Sequence, residues 1–354
     1  MLNIVVLPGD GVGPEVTNQA LKVLNKIKSK YALEYSIDEG LIGGSAYDVS
    51  GKPCPPETLE KVKKCDAIIL GAVGGPKWDE LKLEHRPEKG LLELRKTAGL
   101  YANLRPVKCW MQLLDQSPLK NNMLENVDIM IVRELIGGAY FGARGTINEN
   151  GITKAFDTIE YNELEIRRII RKAIEVADKR KKRITSVDKA NVLDTSRLWR
   201  KIAVEEAKKN PEIIMSHLYV DNCAMQLCLD PAQFDVIVTE NMFGDILSDQ
   251  ASVLGASLGM LPSASIGEDK ALYEPIHGSA PDIAGQDKAD PLAAILSVAM
   301  MLRISFACEE AAKEIEQAVG EVLDSGLRTA DIWSKGMRLV GTNEMGQAVA
   351  ARIK

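Results

Sequence analysis

Short, mostly apolar runs alternate with helix-patterned segments along almost the whole chain, and this alternation constrains the fold more than any other feature. Residues 3–7, 33–37, 67–70, 101–106, 127–132, 184–187, 213–220 and 235–238 have strand length and are enriched in apolar and β-branched side chains. Most are followed by segments whose apolar residues recur every three or four positions. Val16, Ala20, Val23, Leu24 and Ile27 form one such stripe; Ile166, Ile169, Ile170, Ala173 and Ile174 form another. Helices with one apolar face, next to strands apolar throughout, predict layers of helix on a largely parallel sheet. Further helices are expected over residues 56–64, 90–96, 195–209, 291–307, 309–324 and 342–353, while 261–285 reads as loop-rich. Residues 140–147 and 152–159 alternate on either side of Asn148-Glu149-Asn150-Gly151, a hairpin signal.

At 354 residues the chain exceeds one ordinary core, so two domains are expected. A net charge of −6, without a Lys/Arg stripe interleaved with aromatics, argues against a nucleic-acid-binding class. The single basic cluster, residues 179–183, suits a helix C-terminus, where cations complement the dipole. The longest apolar run, 292–302, is too short to span a bilayer. No basic n-region or cleavage site marks the start, which predicts a cytoplasmic protein. Cys54, Cys65, Cys109, Cys223, Cys228 and Cys308 form no CxxC pair, and His85, His217 and His277 lack zinc-ligand spacing. Free buried thiols are expected.

Two glycine-rich turns follow strands. In Pro8-Gly9-Asp10-Gly11-Val12-Gly13-Pro14 the third glycine falls one residue early for a dinucleotide fingerprint, and the acidic pair Asp38-Glu39 comes late. A tight strand-to-helix turn is the better reading, with Pro14 in the first turn of the helix. The second, residues 71–78, lets backbone approach a flat ligand closely, although a plain loop is the default.

Residues 239–249 follow a strand-like run and open a helix. Asp245 and Asp249, four apart, project from one helix face. Two carboxylates so close call for a cation between them, and a hard divalent ion with oxygen preference fits. An acidic helix start is also an ordinary N-terminal cap. Arg105, Arg133, Tyr140, Lys189 and Asp221 fall at or near strand ends, where open α/β sheets bind ligands. Singly each is ordinary surface or packing. Together they supply carboxylate clamps, a metal site and two proton-transfer groups.

At these residues the chain strongly resembles the metal-dependent decarboxylating dehydrogenases of the isocitrate/isopropylmalate dehydrogenase family. The resemblance covers essentially the whole chain. Its marks are the stretches 7–15, 99–106 (Gly99-Leu100-Tyr101-Ala102-Asn103-Leu104-Arg105-Pro106), 187–193 (Val187-Asp188-Lys189-Ala190-Asn191-Val192-Leu193), 241–249 and 277–285. It implies two α/β domains with parallel or mixed sheets, one discontinuous (1–100 and 256–354, NAD-binding) and one spanning 101–255 (substrate, metal and dimerisation). A hairpin interlocking two subunits is also implied.

The implied reaction is NAD-dependent oxidation of 3-isopropylmalate with loss of CO₂, in leucine biosynthesis. Arg95, Arg105 and Arg133 would grip the two substrate carboxylates through their planar forks. Asp221, Asp245 and Asp249 would hold Mg²⁺ or Mn²⁺, Lys189 would take the hydroxyl proton, and Tyr140 would protonate the enolate carbon. The resemblance further implies a homodimer in which Lys189 and Asp221 serve the partner's site. Leu91 and Leu92 would face the isopropyl group, unless they are core leucines. Isocitrate-type relatives place Ser and Asn on this helix for a third carboxylate. For the cofactor it implies Gly75, Glu88, His277, Gly278, Ser279, Ala280, Pro281, Asp282, Ile283 and Asp290. Asp282 would accept from the adenosine ribose hydroxyls and repel a 2′-phosphate, favouring NAD over NADP.

Two departures stand out. Asp290 replaces the usual Asn before Pro291; it keeps an N-cap role but, as a carboxylate, accepts without donating. Phe141-Gly142-Ala143-Arg144-Gly145 is one residue shorter than the common form at the hairpin entry. Rival readings are a sister enzyme oxidising D-malate, tartrate or homoisocitrate, and a non-catalytic regulatory subunit. The latter would be expected to have lost some of Tyr140, Lys189 and the three aspartates; all five are present.

Overall fold

The computed structural model describes residues 2–354. The chain divides into two compact units, one of Met1–Leu100, Trp110–Ser117 and Gly255–Lys354, the other of Tyr101–Cys109 and Pro118–Leu254.

In the first unit five strands lie in the order Tyr35–Glu39, Leu2–Gly9, Ala67–Ala72, Ala271–Pro275, Pro262–Ile266. All neighbours are parallel except the last pair, which is antiparallel. The helix Gly13–Tyr31 buries Val16, Ala20, Val23, Leu24 and Ile27, the stripe anticipated from its spacing. It packs against Leu292–Ile304, a helix in which residues 292–302 are all buried. A helix apolar all round belongs in a core. Among the described residues no helix is long and apolar enough to cross a membrane.

The second unit orders its strands Ala102–Lys108, Asp128–Glu134, Val236–Thr239, Arg183–Asp188, Ile214–Tyr219. The first pair is antiparallel and the rest are parallel, so the sheets are mixed. The helix Glu163–Asp178 buries its isoleucine stripe. It begins in a capping box, Asn162 accepting from the Glu165 amide while the Glu165 carboxylate accepts from the Asn162 amide. After it ends, Arg180 pairs with Asp128 and Asp235 at 2.8 and 2.9 Å.

Four expectations need correction. Residues 261–285 are not mainly loop, because two five-residue strands stand there. They are buried along almost their whole length and small-residue-rich, so no alternation advertises them. Gly44–Ser50 and Val220–Leu229 are helices that the sequence pattern did not reveal. The hairpin strands are Arg144–Glu149 and Ile152–Asp157, shorter than the alternation suggested, and Gly138–Tyr140 forms a separate single turn. All six cysteines are free, but only Cys54, Cys65 and Cys223 are buried; Cys109 and Cys308 are half-buried and Cys228 is exposed.

Candidate active site

In the second unit, strand register gathers the charged residues. Arg133 stands opposite Thr239 at the C-terminal end of Val236–Thr239, where the helix Asn241–Ser252 begins. Arg105 lies on the neighbouring antiparallel strand, on which Asn103 is paired with Arg133. Both guanidinium groups therefore reach the first turns of that helix. Arg133 Nη1 bonds Asp245 Oδ1, while its Nε and Nη2 donate to Asn241 Oδ1 at 3.2 and 2.9 Å. Arg105 Nη1 donates to Ser248 Oγ at 2.6 Å and to Asp249 Oδ1 at 3.2 Å, and its Nε to Asn103 Oδ1 at 2.7 Å. Tyr140 donates its hydroxyl to Asp245 Oδ2 at 2.9 Å. Partial burial, then the Asp245 carboxylate, raises the Tyr140 phenol above its ordinary value, so the proton is held firmly.

The ordinary cap explanation for Asp245 does not hold. Glu240 is the N-cap, its carboxylate accepting from the amides of Met242 and Phe243 at 3.1 and 2.7 Å. Asp245 and Asp249 sit further along, with side chains 36% and 67% exposed. Two accessible carboxylates one turn apart, beside cations that a substrate anion could claim, suit Mg²⁺ or Mn²⁺, which commonly takes one or two protein carboxylates plus substrate and water oxygens. Among the described residues, however, no three acidic, His or Cys side chains converge as a metal site within one chain. Asp221, in the first turn of Val220–Leu229, is ion-paired with Lys189 instead. Lys189 lowers the Asp221 carboxyl below its ordinary range.

The first unit carries the remaining candidates. The helix Pro87–Thr97 spaces Glu88, Leu91, Leu92 and Arg95 so that Leu91 and Leu92 follow Glu88, and precede Arg95, by about one turn. Leu91 leans on the core cluster of Val5, Leu7, Leu70 and Leu94, whereas Leu92 is exposed. Arg95 Nη2 donates to Glu274 at 2.8 Å, leaving its buried Nε without a partner.

The turn at 9–13 is closed on itself. Asp10 is buried, and its carboxylate accepts from the amides of Gly44, Ser45 and Gly74 at 2.8, 2.7 and 2.9 Å. The turn's own amides are engaged too, Asp10 N with Ala72 O at 2.7 Å and Gly13 N with Asp10 O at 2.9 Å, which accords with a tight turn rather than a phosphate cradle. Val12 N donates to Ser279 O at 2.8 Å, and a Cβ on Gly11 would stand 1.9 Å from that oxygen. Residues 277–285 are thus pinned by backbone to the turn. Gly278, Pro281 and Asp282 are exposed, and Ala280 and Ile283 are half-buried. Gly75 and Glu88 lie in the same unit, Glu88 closing against Gly74.

His277 donates Nδ1–H to the Gly278 carbonyl at 2.9 Å, so its buried Nε2 is an unpartnered acceptor; burial lowers its pKa and keeps the ring neutral. Asp290 Oδ1 accepts from Leu292 N at 2.8 Å, although the helix starts at Leu292, one residue later than expected. Its Oδ2 is buried without a partner. Burial, with Asp331 nearby, pushes this carboxyl well above the usual range. A shift in that direction favours the neutral carboxyl, the form that donates as well as accepts.

Asn103, Asn241 and Ser248, which hold the two arginines, were not singled out from sequence. Asn241 and Ser248 fall inside the 239–249 stretch that was, and that is the signal that pointed to them.

A family model described as isocitrate/isopropylmalate dehydrogenase matches residues 3–349. The chain is 56% identical to the 3-isopropylmalate dehydrogenase of Aquifex aeolicus over 99% of its length and 97% of that protein. It is also 56% identical to that of Clostridium acetobutylicum, covering 99% of each. Among solved structures it resembles an isocitrate dehydrogenase from Methylococcus capsulatus with a TM-score of 0.88 and 34% identity, covering 100% and 99% of the two chains.

Proposed function

The chain belongs to the isocitrate/isopropylmalate dehydrogenase family, and we propose that it catalyses NAD-dependent oxidation of (2R,3S)-3-isopropylmalate with loss of CO₂, giving 4-methyl-2-oxopentanoate for leucine biosynthesis. It is a decarboxylating dehydrogenase. The observation that carries the substrate is the 56% whole-length identity to proteins named for it.

The residues account for each requirement of that reaction. Arg105 and Arg133 bind substrate carboxylate, exchanging their present acidic partners for the substrate's, and Arg95 is assigned the same role. Asp245 and Asp249, together with the partner subunit's Asp221, would hold a divalent cation that supplies Lewis acidity at the hydroxyl and takes up charge as CO₂ leaves. The partner subunit's Lys189 removes the hydroxyl proton while hydride passes from C2 to NAD⁺. The bond from C3 to its carboxylate then breaks, and the electron pair remains as an enolate. Tyr140 delivers a proton to C3. Leu92, with Leu91 behind it, offers the isopropyl group an apolar surface. Asp282 receives the adenosine ribose hydroxyls, its exposed carboxylate disfavouring a 2′-phosphate.

A cytoplasmic homodimer with shared sites is part of this proposal. Both strands of the hairpin are exposed along almost their whole length, Ile152 and Phe156 included. A two-stranded hairpin packed on nothing is at best marginally stable. Met225, Leu229, Ile246 and Val253 are likewise exposed on the helices that bear Asp221 and Asp245, or just beyond them. A partner covering these faces also explains why Asp221 lacks acidic company within one chain.

The test is NADH production by the purified protein with Mg²⁺, comparing 3-isopropylmalate, D-malate and isocitrate. Strong preference for 3-isopropylmalate is expected. Preference for D-malate would replace the substrate and make Leu91 and Leu92 ordinary packing. No turnover of any of them by an intact dimer, with NAD⁺ and NADP⁺ both tried, would favour a regulatory subunit.

A further inference from the structure

Behind Tyr140 and the helix of Asp245 lies a buried hydrogen-bonded group that the mechanism does not use: Glu134, Tyr161, Glu240 and Asn241, each less than a tenth exposed. Tyr161 is its centre. Its hydroxyl accepts from the Asn241 amide at 3.0 Å and donates to Glu240 Oε2 at 3.2 Å, which ties it to the first turn of Asn241–Ser252. Its ring carries the turn that presents Tyr140. A Cβ on Gly137 would stand 2.4 Å from ring atom Cε1, and one on Gly138 only 2.6 Å from the hydroxyl. Gly138 also has φ +73°, a left-handed conformation that favours glycine.

The same turn is secured from its other side. The Glu134 carboxylate accepts from the amides of Ile136 and Gly137 at 3.0 and 2.8 Å, and Asn241 Nδ2 donates to the Gly137 carbonyl at 3.1 Å. Asn241 Oδ1 meanwhile receives Arg133. One edge of the Tyr161 ring rests against Trp199, with centroids 6.0 Å apart. The phenol therefore cannot shift without moving either the Tyr140 turn or the helix start.

We propose that Tyr161 is a positioning residue that sets the placement of the Tyr140 hydroxyl relative to Asp245 and Arg133. This rests on the reading of Tyr140 as the acid that protonates C3. Packing alone would need only the ring. Positioning needs the hydroxyl too, because without it the Asn241 amide is buried with no acceptor and the helix start is released from the turn.

The test follows the C3 proton itself. Holoenzyme with Mg²⁺ and NADH in D₂O exchanges C3–H of 4-methyl-2-oxopentanoate for C3–D, one C–H bond breaking and one C–D bond forming at the site Tyr140 serves. Proton NMR reads the rate. Tyr161→Phe is expected to lower this exchange and kcat together by about tenfold, with KM for NAD within about twofold of wild type. Gly137→Ala, whose Cβ would meet the Tyr161 ring at 2.4 Å, should give the same signature and serves if the first variant folds poorly. Tyr140→Phe runs beside them. If Tyr140→Phe loses exchange while Tyr161→Phe and Gly137→Ala keep it, the proposal is overturned alone. If Tyr140→Phe also exchanges normally, the acid assignment fails and takes the proposal with it. A fall in kcat matched by an equal rise in KM for NAD would mark a general loss of structure, and would overturn it as well.

Discussion

The charged cluster of the second unit and the candidate cofactor loop of the first are built on opposite principles. In the cluster, side chains hold side chains: Asn241 and Asn103 orient two arginines, which in turn hold Asp245 and Asp249. In the loop, backbone holds backbone. Val12 N grips Ser279 O, while Asp10 N and Gly13 N donate to the carbonyls of Ala72 and Asp10. Charge chemistry needs particular side chains at fixed separations, so single substitutions there should remove turnover. A ligand recognised largely by the shape of a chain should tolerate side-chain loss at the expense of affinity.

The most severe break would come from Asp245→Ala, which removes a ligand for the cation and the acceptor for Arg133 and Tyr140. Its kcat should fall by about a thousandfold, as expected for loss of preorganised charge, while circular dichroism still shows a folded protein. A loss below about tenfold would place the chemistry elsewhere.

Next in size is a recovery. Lys189→Ala and Asp245→Ala proteins should each be inactive, yet mixing them with subunit exchange should restore about a quarter of wild-type activity. Half the dimers then carry one mutation on each chain and hold one intact shared site. No recovery after exchange is verified would mean that Lys189 serves its own chain.

The loop should respond differently. Asp282→Ala is expected to raise KM for NAD about tenfold, leave kcat within about twofold, and weaken discrimination against NADP, which is the pattern of lost uniform binding. A kcat loss as large as that of Asp245→Ala would erase the contrast between the two regions.

The smallest effect concerns stability. Asp290 has a folded pKa raised above its unfolded value, so its contribution is present at low pH and is lost as pH rises through the raised value. Asp290→Asn cannot ionise. Thermal unfolding should show little difference near pH 4, where an ordinary carboxyl is about half protonated, and an advantage for the variant of a few degrees by about pH 8. Parallel curves for the two proteins would show that this buried carboxyl is not coupled to folding.

Local patterns were legible wherever one face of an element is buried. The stripes on Gly13–Tyr31 and Glu163–Asp178 announced those helices, because burial on one side imposes a 3.6-residue period. Pro262–Ile266 and Ala271–Pro275 escaped notice for the converse reason: burial along nearly their whole length removes the alternation. Val220–Leu229 went unseen because its exposed Met225 and Leu229 blur the amphipathic pattern, as a helix face awaiting a partner would. At the site, Asp245 and Asp249 were readable as a pair because helix geometry relates residues four apart.

By itself the sequence determined the α/β class, the helix stripes, the juxtaposition of Asp245 with Asp249 and, through its motifs, the family. Only the tertiary structure decided that Arg105 and Arg133 meet those aspartates, because strand register couples residues more than a hundred positions apart, Arg133 with Thr239 among them. It alone gave the capping role to Glu240, paired Lys189 with Asp221, and buried Asp290, which raises its carboxyl above the ordinary range. The division follows the range of the forces. Periodicity and capping act within a few residues and are written locally, whereas desolvation and ion pairing depend on which segments the folded chain brings together.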